Sequence, residues 1–254
     1  MPSQPVSIGD GLLRAGLEMT FPVVLVCGMF SSASTWAFNA AVDLIRLTSP
    51  CHVAFAAALD ADTRLPPPPA GTVLVLKTHG WGDPAAFLAR TPGVRCIVTV
   101  RDPRDAVVSL MQRFGYGFDR AVAYADHGAA GIVGVALRPD SLLLRYESGF
   151  VDRITTISTI ASHLGLTPRD EQIETLFRKL QPDAVQAAIA QAERLERFPK
   201  GLPPGETADP QTQWHPGHIG DRRIGKYAQL LDRNRQSAIA TRLARYMEHF
   251  GYAA

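Results

Sequence analysis

PVVLVCGMFSSASTW, residues 22–36, is the stretch on which the fold turns. Its first seven residues are an apolar, β-branched run stopped by Gly28, which predicts a strand buried on both faces. Residues 28–35 then read Gly-Met-Phe-Ser-Ser-Ala-Ser-Thr, and STWAFNAAVDLIRL at 34–47 repeats Trp36, Ala40, Leu44 and Leu47 at helical spacing. A helix entered from a buried strand presents backbone N–H groups without intrahelical partners. Ser32, Ser34 and Thr35 add hydroxyl donors, so the loop suits an anion. Against the P-loop pattern G-x-x-x-x-G-K-[ST], Ala33 stands at the second Gly and Ser34 at the Lys. Without that Lys the loop fits a less charged 5′ group better than ATP with Mg²⁺. Taken alone, the segment reads equally well as a small-residue turn with a Ser or Thr helix cap.

Outward from this core the same alternation recurs. TVLVLK (72–77), RCIVTV (95–100) and SLLLRY (141–146) are short apolar strands. RDPRDAVVSLMQRF follows the second of these directly, with Asp102 placed to cap a helix and Pro103 at an early helical position. A helix is expected near Val151, further helix over 169–198, a turn or loop over 199–210 and a last helix over 234–250. The prolines of ADTRLPPPPAG, residues 61–71, predict a stiff, extended surface connection. Buried strands separated by helices define a single α/β domain, a mostly parallel sheet covered by helices with a P-loop-like nucleotide-binding arrangement. Residues 1–20 read as an N-terminal arm and 21–254 as the domain.

The 254 residues are 46% apolar and 20% charged, with a net charge of +2. A near balance of charge argues against nucleic acid as the partner, because backbone binding needs concentrated positive charge. Cys27, Cys51 and Cys96 are an odd number at wide spacings, which reads as buried thiols in a reducing compartment. There is no run of 18 apolar residues to span a membrane, and the first 19 residues lack the basic-then-apolar order of a secretory signal. A cytoplasmic location is the expectation.

Three further strand ends carry polar groups suited to an anion. LKTHG places Lys77 and His79 at one, TVRDPRDAVVS places Arg101 and Ser109 at another, and LLRYES places Tyr146 at a third. In an open α/β sheet, ligands collect beyond the carboxyl ends of the strands. These segments resemble the cytosolic-type sulfotransferase family and its bacterial relatives, clearly over residues 22–147 and weakly near 217–232. Phe30-Ser31-Ser32-Ala33-Ser34-Thr35-Trp36 is similar to that family's P-[RK]-S-G-[ST]-T-W loop, which binds the donor's 5′ phosphosulfate. Lys77-Thr78-His79 resembles its K-T-H segment, and Arg101-Asp102-Pro103-Arg104-Asp105 with Ser109 its 3′-phosphate motif. Tyr146-Glu147 resembles its adenine-contacting Y-E pair. The C-terminal R-K-G-x-x-G-x-W segment is degenerate here, running from His218 through Arg222-Arg223 to Gly225 and Tyr227. Ser31 stands where the family carries Lys or Arg, and Ala33 replaces a Gly whose substitution is tolerable only at negative φ.

The resemblance implies transfer of a sulfuryl group from 3′-phosphoadenylyl sulfate (PAPS), with adenosine 3′,5′-bisphosphate (PAP) as product and no metal. His79 becomes the base and Lys77 contacts the transferring group or leaving phosphate. Ser31, Ser32, Ala33, Ser34, Thr35 and Trp36 form the 5′ loop, Arg101, Ser109 and the Arg222-Arg223 pair hold the 3′-phosphate, and Tyr146 meets the adenine region. The acceptor is a hydroxyl or amine of a small molecule, natural product or carbohydrate. Phe55, Phe114, Tyr116, Phe118 and Trp214 are candidates for its wall, although each could equally pack in the core. His215 and His218 lack a third ligand for a metal. Two other readings stand beside this one. One is a small-molecule kinase, which the missing Lys disfavours. The other is a nucleotide-binding protein of the same fold that has lost turnover, which Ser31 and Ala33 raise.

Overall fold

In the computed structural model, which describes residues 6–7, 23–59, 64–65, 72–81, 93–200 and 207–253, the opening apolar run forms β1, Val23–Gly28, buried along its whole length. Its side chains alternate between two cores: Val23, Leu25 and Cys27 enter one, Val24 and Val26 the other. Each fully buried Val or Leu contributes roughly 1.5–3 kcal/mol, so burial on both faces holds β1 at the centre of the sheet. Helix α1, Ser34–Arg46, follows. Next come β2, Cys51–Leu59, β3, Val73–Trp81, and β4, Arg95–Val100. Helices α2, Pro103–Phe114, α3, Phe118–Ala129, and α4, Ile132–Ala136, lead to β5, Ser141–Arg145.

These five strands lie in the order β2-β3-β1-β4-β5, with every neighbouring pair parallel. The chain leaves β1 toward the β2 edge and leaves the adjacent β4 toward the β5 edge. Residues of α1 pack in the core beneath Val24 and Val26, whereas α2 and α3 pack on the opposite face. The carboxyl ends of β1 and β4 therefore flank a topological switch point, where such sheets open a ligand crevice.

Strand β2 was not legible beforehand. CHVAFAAAL is rich in Ala, a weak strand former, and it sits at the sheet edge, held by pairing from Cys51↔Val73 to Leu59↔Trp81. Strand β3 also runs beyond Lys77, so Lys77 and His79 lie within it rather than past its end. Their spacing of two puts both side chains on one face.

Elsewhere the expected helices form with breaks. Phe150–Asp152 is a short 3₁₀ turn before α5, Thr155–Leu164. The 169–198 segment divides into α6, Asp170–Lys179, and α7, Pro182–Arg194, with Pro182 opening the second. After α8, Tyr227–Leu230, the last helix divides at Leu243 into α9, Arg233–Arg242, and α10, Ala244–Phe250. Asp102 caps α2 as its position suggests, its Oδ1 accepting the Arg104 N–H at 2.9 Å. The proline run and most of the N-terminal arm lie outside the described residues, within which Val6–Ser7 pairs antiparallel with Arg64–Leu65. Cys27 and Cys96 are buried free thiols and Cys51 is partly exposed. No helix among the described residues is long and apolar enough to cross a membrane.

Candidate active site

A cavity of about 1000 Å³ opens at the switch point. The loop after β1 forms its floor, and the close approach of β4 shapes that loop. A Cβ on Gly28 would collide with Thr99 Oγ1 and press on Ser32 Oγ, so any larger residue there would have to displace the loop. Ser32 is buried, and its Oγ donates to Met29 O at 2.6 Å while lying 2.6 Å from Thr99 Oγ1. This hydroxyl thus ties the loop to β4 and does not line the cavity, unlike Ser31, Ala33, Ser34, Thr35 and Trp36. No Ser or Thr side chain caps α1; Ala33 occupies the N-cap. The first bond into the helix runs from the Ala37 N–H to Ala33 O at 3.2 Å, leaving the preceding N–H groups directed out of the helix.

Ala33 has φ 63 and ψ 28, in the left-handed region, so the condition of negative φ is not met. An L-residue there costs roughly 1–2 kcal/mol, against about 0.5–1 kcal/mol of extra chain entropy for Gly. Ala33→Gly is expected to raise stability by roughly 0.5–1 kcal/mol, seen as a higher urea midpoint with unchanged slope. A lowered midpoint would mean that the backbone is unstrained, since the added chain entropy of Gly would then act alone.

Lys77 and His79 meet above this loop. The Nδ1 of His79 lies 2.8 Å from Gly28 O, which can only accept, so Nδ1 carries the hydrogen. Its Nε2 is then the basic nitrogen, and it accepts from Lys77 Nζ at 2.9 Å. Phe30 stacks on the ring with centroids 4.2 Å apart. Burial, then the Lys77 charge, holds His79 well below the ordinary histidine range. Burial, followed by the Arg113 charge, brings Lys77 down to about 7. A neutral imidazole beside an ammonium near its titration point is an arrangement able to take one proton and give another.

Arg101, only 3% exposed, lies across the crevice. Its Nη1 donates to Ser31 O at 3.0 Å and to Ser109 Oγ at 3.4 Å, and its Nη2 to Arg223 O at 2.8 Å. The guanidinium sits 4.1 Å over the Tyr146 ring, and its Nε is buried without a hydrogen-bond partner. Arg222 reaches the cavity and pairs with Asp152, while Arg223 is exposed, turns to Asp221 and contributes only its carbonyl to Arg101. Trp36 lines the cavity while its Nε1 donates to Leu180 O at 3.2 Å.

The remaining charges of RDPRD are structural. Arg104 forks onto Asp102 at 3.0 and 2.7 Å, and the fully buried Asp105 accepts the N–H groups of Gly225 at 2.6 Å and Tyr227 at 3.0 Å. Glu147 accepts the Asp102 N–H at 2.7 Å and the Tyr252 hydroxyl at 3.0 Å. Those bonds hold the 221–227 segment and the β4 exit over the site.

Phe114, Tyr116 and Trp214 line the cavity; Phe118 packs against the core instead, and the Phe55 side chain lies outside the described residues. Arg113, His215, His218 and Lys226 also line it and were not singled out as site residues. The available signal was helical spacing, since Arg113 follows Ser109 by one turn of α2. Among the described residues Lys77, Arg101, Arg113, Arg222 and Lys226 face the cavity against one lining carboxylate, Asp221. Among the described residues no group of three His, Cys, Asp or Glu is placed to hold a metal ion.

The chain shares its fold with solved structures of a sulfotransferase and of retinol dehydratase, each complexed with PAP. A mouse sulfotransferase, SULT7A1, complexed with PAP superposes with a TM-score of 0.59 at 10% identity, covering 97% of this chain and 95% of that one. Retinol dehydratase with retinol and PAP gives 0.57 at 16% identity, covering 93% and 86%. Its complex with androsterone and PAP gives 0.57 at 15%, covering 94% and 85%. No family model matches the chain, and no curated protein matches it.

Proposed function

We propose that this chain is a sulfotransferase, moving the sulfuryl group of PAPS to a hydroxyl or amine of a small-molecule acceptor. The observation that carries the reading is the Gly28–His79–Lys77 relay beside the α1 start, with Arg101 and Ser109 across the same crevice. The three solved structures described above are PAP complexes, two of which hold retinol or androsterone. Here Arg101 and Ser109 bind the 3′-phosphate, Tyr146 backs the Arg101 guanidinium, and Ser34, Thr35 and the loop N–H groups receive the 5′ end.

The acceptor's oxygen forms a bond to sulfur as the bond between sulfur and the bridging phosphate oxygen breaks. His79 Nε2 takes the acceptor proton, and protonated Lys77 turns from His79 to that bridging oxygen. PAP leaves with the electron pair. The relay must open for this to occur, and an anionic donor drives the opening by drawing the ammonium toward itself. Lys77 thereby supplies charge that Ser31 does not. The buried thiols Cys27 and Cys96 fit a reducing, cytoplasmic setting.

Donor labelled in its transferable sulfur tests the reading. Label should pass to an acceptor from a panel of phenols and alcohols only when the protein is present. Preferential binding of ATP over PAP would point instead to phosphoryl transfer.

A further inference from the structure

Arg113 is a cavity-lining cation to which the proposed function assigns no group of the donor. It stands one helical turn beyond Ser109, its Nη2 donating to His215 Nε2 at 2.8 Å. The Nδ1 of His215 lies 2.9 Å from Pro216 O and so carries the hydrogen, which makes this imidazole a neutral partner. The Nε of Arg113 and the Nδ1 of neighbouring His218 are buried without hydrogen-bond partners. Burial, then the Arg101 charge, lowers Arg113 to about 10, and burial, then the Arg113 charge, lowers His215 to about 4. Among the described residues no carboxylate pairs with this guanidinium to offset its desolvation.

A continuous run of rings connects this arginine to the base. Phe30 stacks on His79, and its centroid is 5.4 Å from that of Tyr124. Tyr124 and Tyr116 are 5.0 Å apart, Tyr116 and Phe114 5.4 Å, and Phe114 and His215 5.6 Å. All of these rings line the cavity. Such a wall suits a flat aromatic acceptor with His79 at one end and Arg113 at the other.

We propose that the acceptor is an aromatic hydroxy acid, whose hydroxyl meets His79 and whose carboxylate meets Arg113. The assignment of the hydroxyl rests on the sulfuryl-transfer reading; the carboxylate site rests on Arg113 itself. A planar carboxylate matches a guanidinium fork and supplies the charge that His215 does not.

Calorimetry with matched pairs tests this: 4-hydroxyphenylacetate against 4-hydroxyphenylacetamide, and 3-(4-hydroxyphenyl)propionate against its amide, each with the full chain alone and saturated with PAP. The acids should bind about 10-fold or more tightly than the amides, the scale of one charge-assisted contact. Arg113→Gln should reduce the preference toward unity, Arg113→Lys should keep part of it, and PAP affinity should change little in either. Equal binding of acid and amide to the unaltered protein overturns the proposal, whatever the variants do. A loss of PAP affinity in Arg113→Gln matching the loss of acid preference also overturns it, because Arg113 would then serve the donor. Should PAP fail to bind the unaltered protein, the sulfuryl-transfer reading falls. An Arg113-dependent acid preference in the nucleotide-free protein would still report the carboxylate site separately.

Discussion

His79→Ala is expected to lower donor-saturated transfer by about 10²–10⁴-fold, the usual scale for a positioned general base, while PAP affinity stays close to that of the unaltered protein. The separation follows from the geometry. His79 is fixed by Gly28 O through Nδ1 and by Phe30 through its face, so Nε2 alone is left for chemistry, on the aromatic side of the cavity. Its depressed pKa keeps the ring neutral through the physiological range, which a base requires. The loss should be greatest for alkyl alcohols, whose protons leave with difficulty, and smaller for acidic phenols. His79→Asn retains polarity without a base suited to neutral pH and should behave similarly. Single-turnover rates over a matched phenol series, paired with PAP titrations, check this. Near-normal rates in both variants, or a defect accounted for by weaker donor binding, would remove His79 from the role and return attention to Lys77.

Arg101→Ala should weaken PAP binding by about 2 kcal/mol or more, roughly 30-fold, because a desolvated charge contact is lost. Arg101 also joins Ser31 O on the β1 loop to Arg223 O on the C-terminal segment, so the variant loosens both walls of the crevice. That general loosening should affect adenosine 5′-monophosphate and PAP alike. Loss of a specific 3′-phosphate contact should instead shrink the preference for PAP. The ratio of the two affinities, measured by calorimetry in both proteins, therefore distinguishes the roles, and an unchanged ratio would count against the 3′-phosphate assignment.

Much of the frame was legible because its central strands are unambiguous. Val23–Gly28 and Cys96–Val100 are short, β-branched, largely apolar runs ending in a loop or helix cap, and burial on both faces allows little else. The strand Cys51–Leu59 was hidden by its alanines, since its identity comes from pairing with β3 rather than from propensity. Motif spacing led to Lys77, His79, Arg101 and Ser109, which the fold gathers around one crevice. It did not reveal that Ser32 is bonded to Thr99, which depends on how closely two strands approach at Gly28. Nor did it reveal the aromatic and imidazole wall ending at Arg113 and His215. Those two residues lie 102 positions apart and meet only through tertiary packing.

The central claim is that sulfur passes from donor to acceptor in this crevice. It is tested most directly by mixing excess protein with sulfur-labelled PAPS and a panel of phenols, then following label and nucleotide together through one turnover. The account predicts that labelled acceptor and PAP appear at the same rate and in equal amounts, with both slowed together by His79→Ala. Nucleotide that binds without any label reaching an acceptor, or label released only as free sulfate at a rate indifferent to His79, would contradict it.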